Sequence, residues 1–192
     1  MKLTQLFYVP NQLTLLRMVF LPLIVLSLLG GHNGWALGIF VAAGVSDFFD
    51  GQLARRLHQQ TTLGQYLDPV ADKMLLSTMF LVLSLLHRIP WKFTVLVFGR
   101  DISILLVSAV LYVTTSLRDF RPSVFGKANT TAQVLAVFLV LLLPVYRERW
   151  VEIARFIALW ATFAFTIISG VHYAFLGAHR LHQAQQHSSP GD

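Results

Sequence analysis

Six predominantly apolar stretches of about twenty residues dominate the chain, the length a helix needs to cross the roughly 30 Å hydrocarbon core of a bilayer. They cover residues 11–29, 35–57, 62–86, 90–115, 124–146 and 150–177. In lipid every backbone N–H and C=O must be satisfied within the protein, so such a chain folds as packed helices. Composition agrees: of 192 residues 55% are hydrophobic and 12% charged, with a mean hydropathy of +0.63, too apolar for an ordinary soluble domain. The sequence therefore predicts an all-α integral membrane protein with six transmembrane helices. A short interfacial N-terminal segment, LTQLFYVP, precedes them, with Phe7 and Tyr8 suited to the headgroup region. The first apolar run carries Arg17 and Pro22 and lacks a small-residue cleavage pattern, so it reads as a retained span. Residues 1–178 form one membrane domain, and the polar tail 179–192 is predicted to be disordered.

An even number of spans puts both termini on one side. That side collects Lys2, Arg55, Arg56, Arg118, Arg121, Lys127 and Arg180, against Arg88, Lys92, Arg147 and Arg149 on the other. The excess predicts cytoplasmic termini in a multi-pass cell (inner) membrane protein. The net charge of +6 is dispersed, without a basic run, which fits anionic lipid headgroups and argues against nucleic acid. The chain has no cysteine, which excludes disulfides, thiolate metal sites and a cysteine nucleophile.

The costly feature in this apolar background is the stretch DFFDGQLARRLHQQTTLGQYLDPVAD, which carries Asp47, Asp50, Asp68 and Asp72. Carboxylates inside membrane spans mark a functional site by default. On a helix Asp47 and Asp50 are i, i+3 neighbours and Asp68 and Asp72 are i, i+4 neighbours, so each pair shares a face. At 1.5 Å per residue, Asp47 lies about 18 Å along the second span and Asp68 about 9 Å into the third, so the pairs meet at similar depth near the cytoplasmic face. Four such charges repel unless protons or cations intervene. An all-oxygen donor set favours magnesium or manganese over zinc or copper. Gly51 and Gly64 leave room beside the acids, Ala54 is small, and Arg55 is one turn past Asp50 where it can meet a phosphate. Pro69 removes a backbone hydrogen bond and is expected to kink the third helix.

Written as D-x-x-D-G-x-x-A-R-x(8)-G-x-x-x-D-x-x-x-D, positions Asp47, Asp50, Gly51, Ala54, Arg55, Gly64, Asp68 and Asp72 carry the signature of the CDP-alcohol phosphotransferases, which this chain resembles. The resemblance extends through NQLTLLR, LDPVADK, the Arg100 and Asp101 pair and GKANTTAQ. It implies a six-helix membrane enzyme of phospholipid biosynthesis with two divalent metal ions, Mg2+ or Mn2+, and a CDP-linked lipid donor, CDP-diacylglycerol. By the same resemblance, Asp47, Asp50, Asp68 and Asp72 bind metal, Asp72 also acts as general base, and CDP falls on Asp47, Asp50, Gly51, Ala54 and Arg55, with Gly64 beside them. A homodimer is common in that family. RDI at Arg100 and GKANT at Lys127 look more like cardiolipin synthases, whose acceptor is phosphatidylglycerol. The alternative is glycerol 3-phosphate, the acceptor of phosphatidylglycerophosphate synthases. Arg100, Arg118, Arg121 and Lys127 are the candidates for holding the acceptor's phosphate.

Blander readings compete. The acids could merely pair with Arg17, Lys73 and Arg100 to hold helices together, Arg56 could snorkel at a span end, and Lys127 could anchor the cytoplasmic side. Arg17 shares roughly one face with Asn11 and Thr14, so a site-facing role and a snorkel stand equal. Arg100 and Asp101, adjacent in sequence, cannot fully share a helix face, so a salt bridge to a neighbouring helix competes with acceptor binding. A cation transporter or channel is the rival of another class, but it would want acids along a path through the bilayer and has no use for the Gly51, Ala54 and Arg55 arrangement.

Overall fold

Apolar runs punctuated by Gly-Gly, Pro and charged turns become six helices: α1 (Val9–Leu29), α2 (Asn33–Arg56), α3 (Thr62–Leu85), α4 (Trp91–Thr114), α5 (Val124–Leu142) and α6 (Arg149–His187). In this computed structural model the backbone is described for residues 9–56, 62–114 and 124–187, and the side chains for 18–46, 73–103 and 126–171. There is no strand among the described residues. Residues 1–8, which hold most of the interfacial segment, the 57–61 connection and residues 115–123 with Arg118 and Arg121 lie outside them.

Two helix ends are closed by the same device. At the end of α1, His32 N–H donates to the Ser27 carbonyl (2.8 Å) and Gly31 N–H to the Leu28 carbonyl (3.1 Å), with Gly31 at φ +75°. This is the Schellman pattern, and glycine suits its left-handed position. At the end of α3, Arg88 N–H donates to Leu83 (2.8 Å) and His87 N–H to Ser84 (3.0 Å). Here the left-handed position is filled by His87, at φ +57°.

α5 stops at Leu142, short of residue 146, because Pro144 cannot donate to the preceding turn and disfavours a helical residue before it. α6 runs on to His187, through most of the tail predicted to be disordered. Residues 178–186, AHRLHQAQQ, are mostly good helix formers without Gly or Pro, so the helix has no local reason to end there. Residues 188–192 lie outside the described residues.

The chain divides into two compact units, Met1–Ile89 with Val137–Arg155, and Pro90–Ala136 with Phe156–Asp192. In the first, α1 packs against both α2 and α3. Ile24 and Leu28 of α1, Ala36, Phe40 and Ala43 of α2, and Leu76, Met79, Phe80 and Leu83 of α3 are buried. Alanine at two of the three α2 positions lets the backbones approach, which is how helices gain contact where lipid offers no hydrophobic drive. Arg88 donates from Nη2 to Asn33 Oδ1 (2.7 Å), fastening the α3–α4 turn to the start of α2. Burial draws the Arg88 guanidinium below its ordinary pKa.

In the second unit α4 and α6 meet through an aromatic cluster. Phe93 stands edge-on to Trp160 and to Phe163, each at 5.9 Å, and Lys92 Nζ lies 4.7 Å from the Trp160 ring centre. Thr166 Oγ1 of α6 donates to Asn129 Oδ1 of α5 at 2.9 Å.

One helical segment among the described residues, Arg149–Val171 (23 residues), is long and apolar enough to cross a membrane. Met18–Leu29, Asn33–Ser46, Lys73–Leu85 and Gly126–Leu142 are apolar but shorter. Each is bounded on one side by the edge of the described side chains.

Candidate functional site

The acid motif occupies the C-terminal half of α2 and the N-terminal half of α3, on either side of the 57–61 connection. The backbone of both helices is helical at the four acids, and α3 is assigned as helix through position 69. The side chains of Asp47, Asp50, Gly51, Ala54, Arg55, Gly64, Asp68 and Asp72 lie outside those described. Their register can still be read from the described halves of the same helices. On α2 the buried line Ala36, Phe40, Ala43 advances by four and three residues, and the same steps reach positions 47, 50 and 54. On α3 the buried line Leu83, Met79, Leu76 leads back in steps of four to positions 72 and 68. By position, both acid pairs thus continue the lines that pack in the first unit, where α1 contacts both helices. Seven residues before buried Ile24 on α1, position 17 falls on the corresponding line.

Among the described side chains no three His, Asp or Glu residues come together as a metal-holding group. The donor chemistry of the acid motif fits a hard divalent ion: four carboxylates on two helices with no sulfur between them, the one intervening histidine, His58, falling in the 57–61 connection outside the described residues.

The candidates for the acceptor's phosphate are placed differently. Arg100 and Asp101 pair with each other, Arg100 Nη1 to Asp101 Oδ1 at 2.8 Å, with side chains 9% and 15% exposed. Adjacent positions thus do meet, because the arginine side chain is long enough to bring its guanidinium to the neighbouring carboxylate. Arg100 Nε also donates to Ser169 Oγ on α6 at 2.9 Å. Lys127 is exposed near the start of α5. Arg118 and Arg121 lie outside the described residues.

A buried polar cluster in the second unit escaped the sequence reading. Asn129, Thr166 and Ser169 are at most 1% exposed, and Gln133 is 4%. The amide nitrogens Asn129 Nδ2 and Gln133 Nε2 have no hydrogen-bond partner among the described residues. The signal was present: Asn129 and Gln133 are i, i+4 on α5, and Thr166 and Ser169 are i, i+3 on α6, a spacing that gathers polar groups at a helix interface.

Comparison with known proteins bears on the chemistry. A family model described as CDP-alcohol phosphatidyltransferase matches residues 7–168. A Mycobacterium tuberculosis protein named "Probable phosphatidylglycerophosphate synthase" is 36% identical over 172 residues, covering 85% of this chain and 78% of its own length. The Rattus norvegicus protein named cardiolipin synthase (CMP-forming) is 30% identical over 182 residues, covering 85% of this chain and 59% of its own. A Bacillus subtilis CDP-diacylglycerol–glycerol-3-phosphate 3-phosphatidyltransferase is 29% identical over 188 residues, covering 87% and 93%.

Proposed function

The chain belongs to the CDP-alcohol phosphatidyltransferase family, and from that premise we propose that it transfers a phosphatidyl group from CDP-diacylglycerol to phosphatidylglycerol, yielding cardiolipin and CMP. The observation that carries the site assignment is the register of the two acid pairs, each continuing a buried line on a helix that packs against α1. Asp47, Asp50, Asp68 and Asp72 hold two divalent ions, Mg2+ or Mn2+, which when bound neutralise the charge of the pyrophosphate. Gly51 and Ala54 admit the CDP moiety beside Asp47 and Asp50, Gly64 leaves space on α3, and Arg55 reaches the phosphates. Asp72 accepts the proton of the acceptor hydroxyl as its oxygen attacks the phosphatidyl phosphorus. The P–O bond to CMP breaks in line with that attack, CMP leaves to the cytosol, and the lipid product stays in the bilayer.

The six helices are six spans, with termini and acids on the cytoplasmic side of the inner membrane, and the enzyme works as a homodimer. Lys127, Arg118 and Arg121 meet the acceptor's phosphate, and Arg100 does so while keeping its bonds to Asp101 and Ser169. RDI and GKANT support phosphatidylglycerol as acceptor. The second reading, glycerol 3-phosphate, draws on the relatives from Mycobacterium tuberculosis and Bacillus subtilis. Purified protein given CDP-diacylglycerol and magnesium, with each acceptor in turn, decides between them by CMP release. Turnover with phosphatidylglycerol is expected; turnover with glycerol 3-phosphate alone would reverse the acceptor. Removing the metal with a chelator should stop CMP release, and magnesium or manganese should restore it.

A further inference from the structure

A groove of about 630 Å³ runs between α4 and α6 within the second unit. Val95, Leu96 and Ile167 form its walls, and Gly99 and Gly170 lie toward its inner end. A Cβ built on either glycine would meet nothing within 4 Å, so the missing side chains leave this end open. Val95 is 65% exposed and Ile167 43%, so the groove faces away from the protein core. Along α4 it extends from Trp91 to Gly99, nine residues and so about 12 Å at the helical rise.

Its polar lining is asymmetric. At the inner end lies Arg100, bonded to Asp101 and Ser169 and assigned above to the acceptor's phosphate. At the outer end stands the exposed Lys92, its ammonium 4.7 Å from the Trp160 ring centre and 5.3 Å from that of Phe93, with Trp91 beside it. Cation–π contact holds a lysine in place without neutralising its charge. Lysine with exposed tryptophans at one end of an apolar trough is the arrangement of a bilayer interface, with the phosphate level at the lysine and the hydrocarbon level below it.

We propose that this groove binds one anionic phospholipid, its phosphate against Lys92 and one acyl chain lying over Val95 and Leu96 toward Gly99 and Gly170. The groove is lined by α4 and α6, whereas the acid motif is carried by α2 and α3. It rests on the chain residing in a bilayer and is indifferent to which acceptor the enzyme uses.

The test uses tryptophan quenching by phospholipids with brominated chains. Full-length protein carrying Trp35→Phe and Trp150→Phe, so that Trp91 and Trp160 report, is placed in phosphatidylcholine vesicles containing brominated phosphatidylserine or brominated phosphatidylcholine. The anionic lipid should be preferred about fivefold, the weight of one cation near the surface. Lys92→Gln should abolish that preference while CMP release continues. Gly99→Leu with Gly170→Leu, which fill open space, should reduce quenching by either lipid. Equal quenching by the two lipids, a preference that survives Lys92→Gln, or quenching unchanged in the double leucine variant would each overturn the proposal. Loss of CMP release with the lipid preference intact would count against the catalytic reading alone.

Discussion

Asp72 follows Asp68 by one helical turn and precedes Lys73, which is half-buried and has a partner in the structure. A carboxylate at that position can both share a cation with Asp68 and take a proton from the incoming hydroxyl, and only the second task requires it to be basic. Asp72→Asn keeps the size and the oxygen donor but removes the base. Turnover is expected to fall by about 10²–10⁴-fold, with circular dichroism and elution volume unchanged; CMP release near the unaltered rate would remove the assignment. Gln133 poses the opposite case. Its buried amide nitrogen lacks a partner among the described residues, and an unmade hydrogen bond there costs about 1–3 kcal/mol. Gln133→Leu is therefore expected to raise stability by about 1 kcal/mol in detergent unfolding. A fall in stability would show that the amide has found a partner.

At the level of single helices, the two Schellman ends invite comparison because they differ at one residue. Gly31 adopts its left-handed φ freely, whereas His87 at φ +57° carries the steric cost that a Cβ imposes, about 1 kcal/mol. His87→Gly should recover roughly 0.5–1 kcal/mol of thermal stability, measured by the shift in unfolding midpoint; a lower midpoint would mean that the imidazole makes a compensating contact. These ends also show what the sequence makes legible. Gly30, Gly31 and Pro90 mark boundaries, and α1 to α4 begin and end within about two residues of the expected spans. Pro144 is equally visible in the sequence, but the apolar run continues past it to residue 146 and masks the helix end. α6 outran its expected end because periodicity tracks burial, while helix continuation needs only good local formers. The helical backbone at the four acids was legible from the sequence, while their role as a site is the proposal made above. The Arg100–Asp101 contact was not legible, since it depends on the reach of a long side chain rather than on which faces two Cβ atoms occupy.

For the molecule as a whole, the chain's lack of cysteine makes topology directly measurable. Single cysteines introduced in place of Lys2 and Ser188 should be labelled by an impermeant thiol reagent in inside-out vesicles, and one replacing His87 only in right-side-out vesicles. Labelling of positions 2 and 188 from opposite sides would break the even span count. The same experiment bears on the donor, because CMP released on the side of the termini needs the acid motif to open there too. Arg100 and Asp101 add one consequence at this scale. Their opposite charges sit a single residue apart and are joined at 2.8 Å, so if α4 spans the bilayer as proposed, a transmembrane voltage would push on one as it pulls on the other. Moving a lone charge through 100 mV is worth about 2.3 kcal/mol, but this coupled dipole presents almost nothing for the field to act upon. An energised membrane and a depolarised one should therefore leave that part of the helix where it is.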